Sequence, residues 1–199
     1  MTPWFRTPEG AALQAAETAW LKGQLQRVPA ASWAWLSPAQ AEDVWTGEPG
    51  CWRGGEQVMP PWPVPSASLG RVILQHVAEG HPAGSALLGE VVRVLENGGR
   101  VWLLALHARS PARRSWPHAP ASTPTAWRAH LRDAGLLPVG RAVPLGGADA
   151  EGLRWPLPLA FGLARYPAFV IEAEKRRLPV TPIPQRPAPA FGLGRAAGA

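Results

Sequence analysis

The side chains able to do chemistry are few, and most stand at the ends of apolar runs. His76 follows directly on Arg71-Val72-Ile73-Leu74-Gln75. A strand there would present its imidazole at a rim as a general acid or base, or use it to tie down the strand end through backbone hydrogen bonds. Gln75 shares that rim. His107 follows a second apolar run, residues 101–106, and would face the same cleft, where a pair with His76 can form. No carboxylate stands at ligand spacing to either, so the two make no metal motif. His81, before Pro82, reads as a loop residue. Ser66, Ser68 and Ser85 lack a G-x-S-x-G elbow, and Cys51 has no visible activating partner. Arg109, Arg113 and Arg114, with Trp116 nearby, could clasp a phosphate or a nucleic-acid backbone, or form a solvated loop.

The elements that would position these residues can be read from pattern. Residues 7–26 read as a helix, with Thr7 as cap, Pro8 and Glu9 in the first turn, and Leu13, Ala16, Trp20 and Leu25 as the apolar stripe. Ser32-Trp33-Ala34-Trp35-Leu36 suits a strand closed by Ser37-Pro38, and residues 39–45 fit a short helix or a strand remnant. Gly, Pro and Trp crowd residues 46–69, which predicts a loop with one brief extended piece near residues 57–59. Trp33, Trp35, Trp45, Trp52 and Trp62 either fill core volume there or line a pocket for a planar ligand.

Regularity returns with a strand at 71–75, a helix over about 85–96, a stop at Asn97-Gly98-Gly99 and a strand from Arg100 to Leu106. That order is a βαβ unit with parallel strands. A basic, Pro-containing loop covers 108–123, then come a helix over 125–134 closed by Gly135, a strand at 136–143 and another at 168–173. The Pro- and Gly-rich tail, residues 179–199, is expected outside a single domain spanning 1–178.

Composition bounds these readings. A chain of 199 residues, 46% of them hydrophobic, suffices for one core and excludes general disorder. The 24 prolines and 21 glycines predict short, interrupted elements. A net charge of +6, carried almost wholly by arginine, favours anionic partners only in a general way, and the same arginine excess follows from GC-rich coding. One cysteine excludes an internal disulfide, and no run of about 18 apolar residues offers a membrane span. The expectation is a cytoplasmic protein with no membrane attachment.

The middle of the chain resembles a known family. Val72-Ile73-Leu74-Gln75-His76-Val77, followed by Glu90, Arg93-Val94-Leu95 and Gly98-Gly99, is similar to the fourth strand, next helix and glycine turn of class I S-adenosylmethionine-dependent methyltransferases, with Asn97 where the family has proline. The opening Trp4-Phe5-x-Thr7-Pro8-x-Gly10, the segment 61–66, the helix at 127–135, the strand and basic exit at 168–176 and Pro179-Val180-Thr181-Pro182-Ile183 fall in the order of a bacterial type 11-like subgroup.

The resemblance implies an α/β fold: an open, mostly parallel Rossmann-like sheet flanked by helices, shortened in its first half. It also implies S-adenosylmethionine as cofactor, methyl transfer to an acceptor that the sequence does not name, and a site at the carboxyl ends of the strands, where Leu36, Ser37, Gln75 and His76 would hold the cofactor. One departure bears on activity. The family's first strand ends in G-x-G-x-G, whose bare backbone approaches the cofactor, whereas this chain has Leu36-Ser37-Pro38-Ala39-Gln40 and no glycine before Gly47. Glu42, Asp43, Glu48 and Glu56 are the acids available for the ribose contact that the family makes after its second strand. A methyltransferase, a catalytically inactive scaffold or partner-binding protein of the same fold, and a nucleic-acid binder are the functions to be distinguished.

Overall fold

The computed structural model describes residues 3–38, 51–55, 60–80, 85–108, 110, 123–145 and 166–176. Six strands form one sheet: β1 (Trp33–Ser37), β2 (Cys51–Gly55), β3 (Leu69–Gln75), β4 (Leu95–Leu106), β5 (Leu136–Leu145) and β6 (Ala168–Lys175). Their order across the sheet is β2-β1-β3-β4-β6-β5. The pairs β1 with β2, β1 with β3, and β3 with β4 are parallel, whereas β6 runs antiparallel to both β4 and β5. The expected unit is therefore present, with Val72 opposite Val101 and Gln75 opposite Leu104. Its helix is α2 (Ser85–Val94), and α3 (Pro124–Asp133) precedes β5.

The sheet buries both faces, so its central strands are apolar on alternate residues toward each side. Ala34, Leu36, Val72, Leu74, Val101 and Leu103 belong to the core that includes Leu88 and Val91 of α2 and Trp127 and Leu131 of α3. Trp33, Trp35, Ile73, Trp102 and Leu104 belong to the opposite core, closed by Trp4, Phe5 and α1 (Pro8–Leu25). Thr7 caps α1, its Oγ1 accepting from the Gly10 amide at 3.2 Å. Gly10 is required for space: a Cβ there would lie 2.2 Å from the Trp4 carbonyl oxygen.

The buried stripe of α1 differs from the expected one. Leu13 is buried as predicted, but its companions are Gly10, Glu17 and Leu21, while Ala16, Trp20 and Leu25 are only partly covered. A carboxylate in the centre of the stripe shifts the apparent apolar face by a fraction of a turn. Of the five tryptophans noted in this region, Trp45 lies outside the described residues and the other four serve the cores. Trp33 and Trp35 lie under α1, and Trp62 lies in the opposite core with Trp52 tilted against it at 5.2 Å between ring centroids.

Residues 51–55 are a strand where the sequence predicts loop. Two glycines in Cys51-Trp52-Arg53-Gly54-Gly55 hide the alternation, and parallel pairing with β1 supplies the order that side chains do not. The extended piece expected near 57–59, the undecided segment 39–45 and the tail 179–199 lie outside the described residues. The strand begun at Arg100 in the sequence reading already starts at Leu95, across from Leu69, and Gly98 takes the positive φ of 80° expected of the glycine turn. No helix among the described residues is long and apolar enough to cross a membrane.

Glu90 and Arg93, two of the residues that carry the family resemblance, act as a clamp. Glu90 Oε1 accepts from the Trp62 amide, and the Arg93 guanidinium donates to Glu90, to Ser66 Oγ and to the carbonyls of Trp62 and Val64. The hydrogen bonds from Arg93 and Trp62 hold the Glu90 carboxyl below the usual carboxylate range against the opposing effect of burial. Helix α2 is thereby fastened to the segment entering β3.

Candidate functional site

The four residues singled out for cofactor contact stand at the carboxyl ends of two adjacent parallel strands, Leu36 and Ser37 on β1, Gln75 on β3 and His76 just beyond it. All four are buried, none exposing more than 5% of its surface. The structure brings Ser37, Gln75 and His76 together with α1, which supplies two further polar side chains, while Leu36 belongs to the opposite core. Gln14 Nε2 donates to Ser37 Oγ at 2.8 Å, and Glu17, wholly buried, reaches across to β3.

A continuous hydrogen-bonded chain results. Trp35 Nε1 donates to Gln75 Oε1 at 3.1 Å, which fixes the amide so that Gln75 Nε2 donates to Glu17 Oε2 at 2.9 Å. His76 Nε2 lies 2.9 Å from Glu17 Oε1, and His76 Nδ1 lies 3.0 Å from Glu79 Oε2. Glu79 Oε1 in turn accepts from the Leu106 amide at the end of β4. The arrangement joins α1, β1 and β3 through side chains and reaches β4 at the Leu106 amide.

His76 adopts a left-handed backbone, φ 55°, uncommon outside glycine and worth about 1–3 kcal/mol of strain. That geometry turns the chain from β3 into a short 3-10 turn, Ala78–Gly80, carrying Glu79 to the ring. Burial alone would depress the imidazole's affinity for protons, but charge and hydrogen bonds from Glu17, then Glu79, outweigh it and raise the pKa from 6.5 to about 10. The ring is consequently an imidazolium at neutral pH, donating from both nitrogens. A cation saturated in this way is a structural tie: it has no lone pair to act as a base and no nitrogen left for His107.

The tie at this strand end runs through carboxylates and not through the backbone groups expected to receive the ring. Sequence reasoning missed Gln14, Glu17 and Glu79. A signal existed for the last two: Glu79 stands three residues after His76, and Glu17 interrupts Leu13 and Leu21 at helical spacing, where a carboxylate must find a partner.

His107 follows β4, the neighbour of β3 in the sheet. Its ring stands edge-on to Phe169, with centroids 6.4 Å apart, and lines a cavity of about 460 Å³ between the second half of β5, the start of β6 and the first turns of α3. Cys51 lies at the start of β2. Ser66 accepts from Arg93, and Ser68 Oγ donates to the Pro65 carbonyl at 2.7 Å, so both serve the loop before β3. His81, Arg109, Arg113, Arg114 and Trp116 lie outside the described residues, as do Glu42, Asp43, Glu48 and Glu56.

No protein-family model and no curated protein matches the sequence. Solved structures do match in shape. One is a S-adenosylmethionine-dependent methyltransferase, possible histamine N-methyltransferase, from Thermotoga maritima, with 15% identity over 87% of this chain and 94% of that one, at a TM-score of 0.58. A chain of the Haloferax volcanii complex between the Trm112 methyltransferase activator and a putative methyltransferase gives 12% identity over 89% and 98%, TM-score 0.61. A Burkholderia thailandensis 1,6-didemethyltoxoflavin-N1-methyltransferase, solved with its substrate and S-adenosylhomocysteine, gives 15% over 84% and 79%, TM-score 0.51. The fold is that of the class I S-adenosylmethionine-dependent methyltransferases. Identities this low carry architecture and leave chemistry to the residues.

Proposed function

We propose that this methyltransferase-fold protein is a non-catalytic scaffold: it keeps the sheet of S-adenosylmethionine-dependent methyltransferases as a platform for a protein partner and does not transfer methyl groups. One observation carries the reading. At the ends of β1 and β3, the polar atoms of Ser37, Gln75 and His76 that a cofactor would use are engaged by Gln14, Trp35, Glu17 and Glu79. Leu36 is in the core, and the residues after β1 include Pro38, which offers no amide, and no glycine until Gly47. A cofactor entering there would have to break several buried hydrogen bonds and an ion pair without a bare backbone to replace them.

Isothermal titration calorimetry tests this directly. The expected outcome is no saturable heat with S-adenosylmethionine or S-adenosylhomocysteine at millimolar concentrations. Saturable binding of either overturns the scaffold reading.

A second reading is methyl transfer from S-adenosylmethionine to an acceptor not yet known, with Leu36, Ser37, Gln75 and His76 at the cofactor. It is favoured by the position of Glu56, which immediately follows β2 in the chain, as the family's ribose-binding acid follows its second strand. Under that reading Gln14 and Glu17 must exchange partners when the cofactor enters, and binding weakens sharply in Glu56→Ala. The nucleic-acid reading rests on arginines outside the described residues and is not carried further.

A further inference from the structure

We infer that the cavity between α3, β5 and β6 is a binding site for a small organic anion with an aromatic or similarly bulky apolar body. The inference is independent of whether S-adenosylmethionine binds. The sheet order places β6 two strands from β3, about 10 Å at the usual strand spacing, and the cavity shares no lining residue with the corner described above.

Its construction is local. Strand β5 changes register against β6 between Val139 and Val143, and Gly140, at φ 61°, supplies the left-handed residue that the irregularity needs. Arg128 of α3 donates from Nη1 to the Gly140 carbonyl at 2.9 Å, pinning the helix to the displaced strand. The cavity lies beside this joint, and its volume, about 460 Å³, falls in the usual range of small-molecule sites.

Its chemistry has two parts. Phe169, Ala168, Pro144 and Ala142 make an apolar floor, against which His107 sets its ring edge-on to Phe169. Arg128, half-buried, and Arg141, exposed, supply two cations to the lining, and none of the lining residues is acidic. The positive end of α3 opens on the same space through Pro124 and Thr125. Apolar surface would take the body of the ligand, while a carboxylate or sulfonate meets the two guanidiniums. A cation would find no counter-charge among the described lining side chains, and a wholly apolar ligand would leave both guanidinium charges without one.

The test uses the full chain and 8-anilinonaphthalene-1-sulfonate, followed by its fluorescence, with uncharged N-phenyl-1-naphthylamine as comparison. Saturable binding of the sulfonate is expected, with the uncharged dye binding several-fold more weakly. Arg141→Glu reverses an exposed charge and should weaken the sulfonate about tenfold or more. Thr125→Trp, which adds bulk at an exposed lining position, should weaken both dyes. Failure of the sulfonate to bind overturns the site. An affinity insensitive to Arg141→Glu overturns the anionic ligand, and insensitivity to Thr125→Trp overturns the location. Unchanged thermal unfolding of both variants establishes that any loss of dye is a loss of the site and not of the fold.

Discussion

At the β1–β3 corner, the chain answers its own polar groups: a buried imidazolium sits between two carboxylates, and a glutamine and a tryptophan complete the chain of hydrogen bonds. At the β6–β5 end, cationic side chains border an apolar hollow with no acid among its described lining residues. The first arrangement stores its electrostatics in holding the molecule together, and the second leaves them available to a ligand. In methyltransferase-fold proteins the first location is where a cofactor is expected. The contrast teaches that position in a fold identifies a site less surely than whether its polar atoms are free.

Replacing Glu17 by Ala strains that contrast most. It strips His76 of one carboxylate and leaves the Gln75 amide without its acceptor, so urea unfolding should show a loss of about 3–5 kcal/mol. A smaller loss would mean that the corner is open to water and could admit a cofactor after all.

Changing pH acts on the same ion pairs gradually, unit by unit. Because the folded-state pKa of His76 is raised to about 10 from 6.5, its contribution is fully present below about pH 6.5 and is lost as the pH climbs toward 10. Stability should decline by about 1.4 kcal/mol per pH unit inside that window. The decline should vanish in His76→Gln, whatever that variant's own stability. A wild-type curve without this decline would show that the imidazole is neutral in the folded protein and not the tie described.

The smallest effect belongs to the other end of the sheet. Arg141 is exposed, so Arg141→Glu should shift unfolding by less than about 0.5 kcal/mol while abolishing most anionic-dye binding. Substantial destabilisation there would erase the distinction between a corner built for cohesion and a hollow built for recognition.

Much of the architecture was legible because β3, α2 and β4 carry their own signals: a β-branched run, an apolar helical face and Asn97-Gly98-Gly99. The cap Thr7 and the glycine at 135 mark helix ends by local physics, and the structure shows them doing so, whereas Thr123, read as the end of a loop, proves to be the cap of α3. Strand β2 was not legible, because its order comes from pairing and its residues lack alternation. The corner was half legible. Gln75 and His76 announce themselves at a strand end, but their shared partner Glu17 lies nearly sixty residues away on a helix whose stripe looked apolar, and Gln14 of the same helix meets Ser37. Such contacts arise only in tertiary packing. The hollow at β5 and β6 gave no signal at all, since it depends on a register change that no single segment encodes.

Strand β6, the last of the sheet to be synthesised, lies between β4 and β5, which precede it in the chain. In a nascent chain β5 therefore has no strand to pair with, and β4 remains the sheet edge, until residues 168–175 emerge, several seconds after β4 at ordinary translation rates of roughly 5–20 residues per second. Meanwhile the free edge of β4 is a template for any extended segment nearby. Ribosomal stalling before residue 168 should thus yield a product prone to self-association, even though five of the six strands are already made.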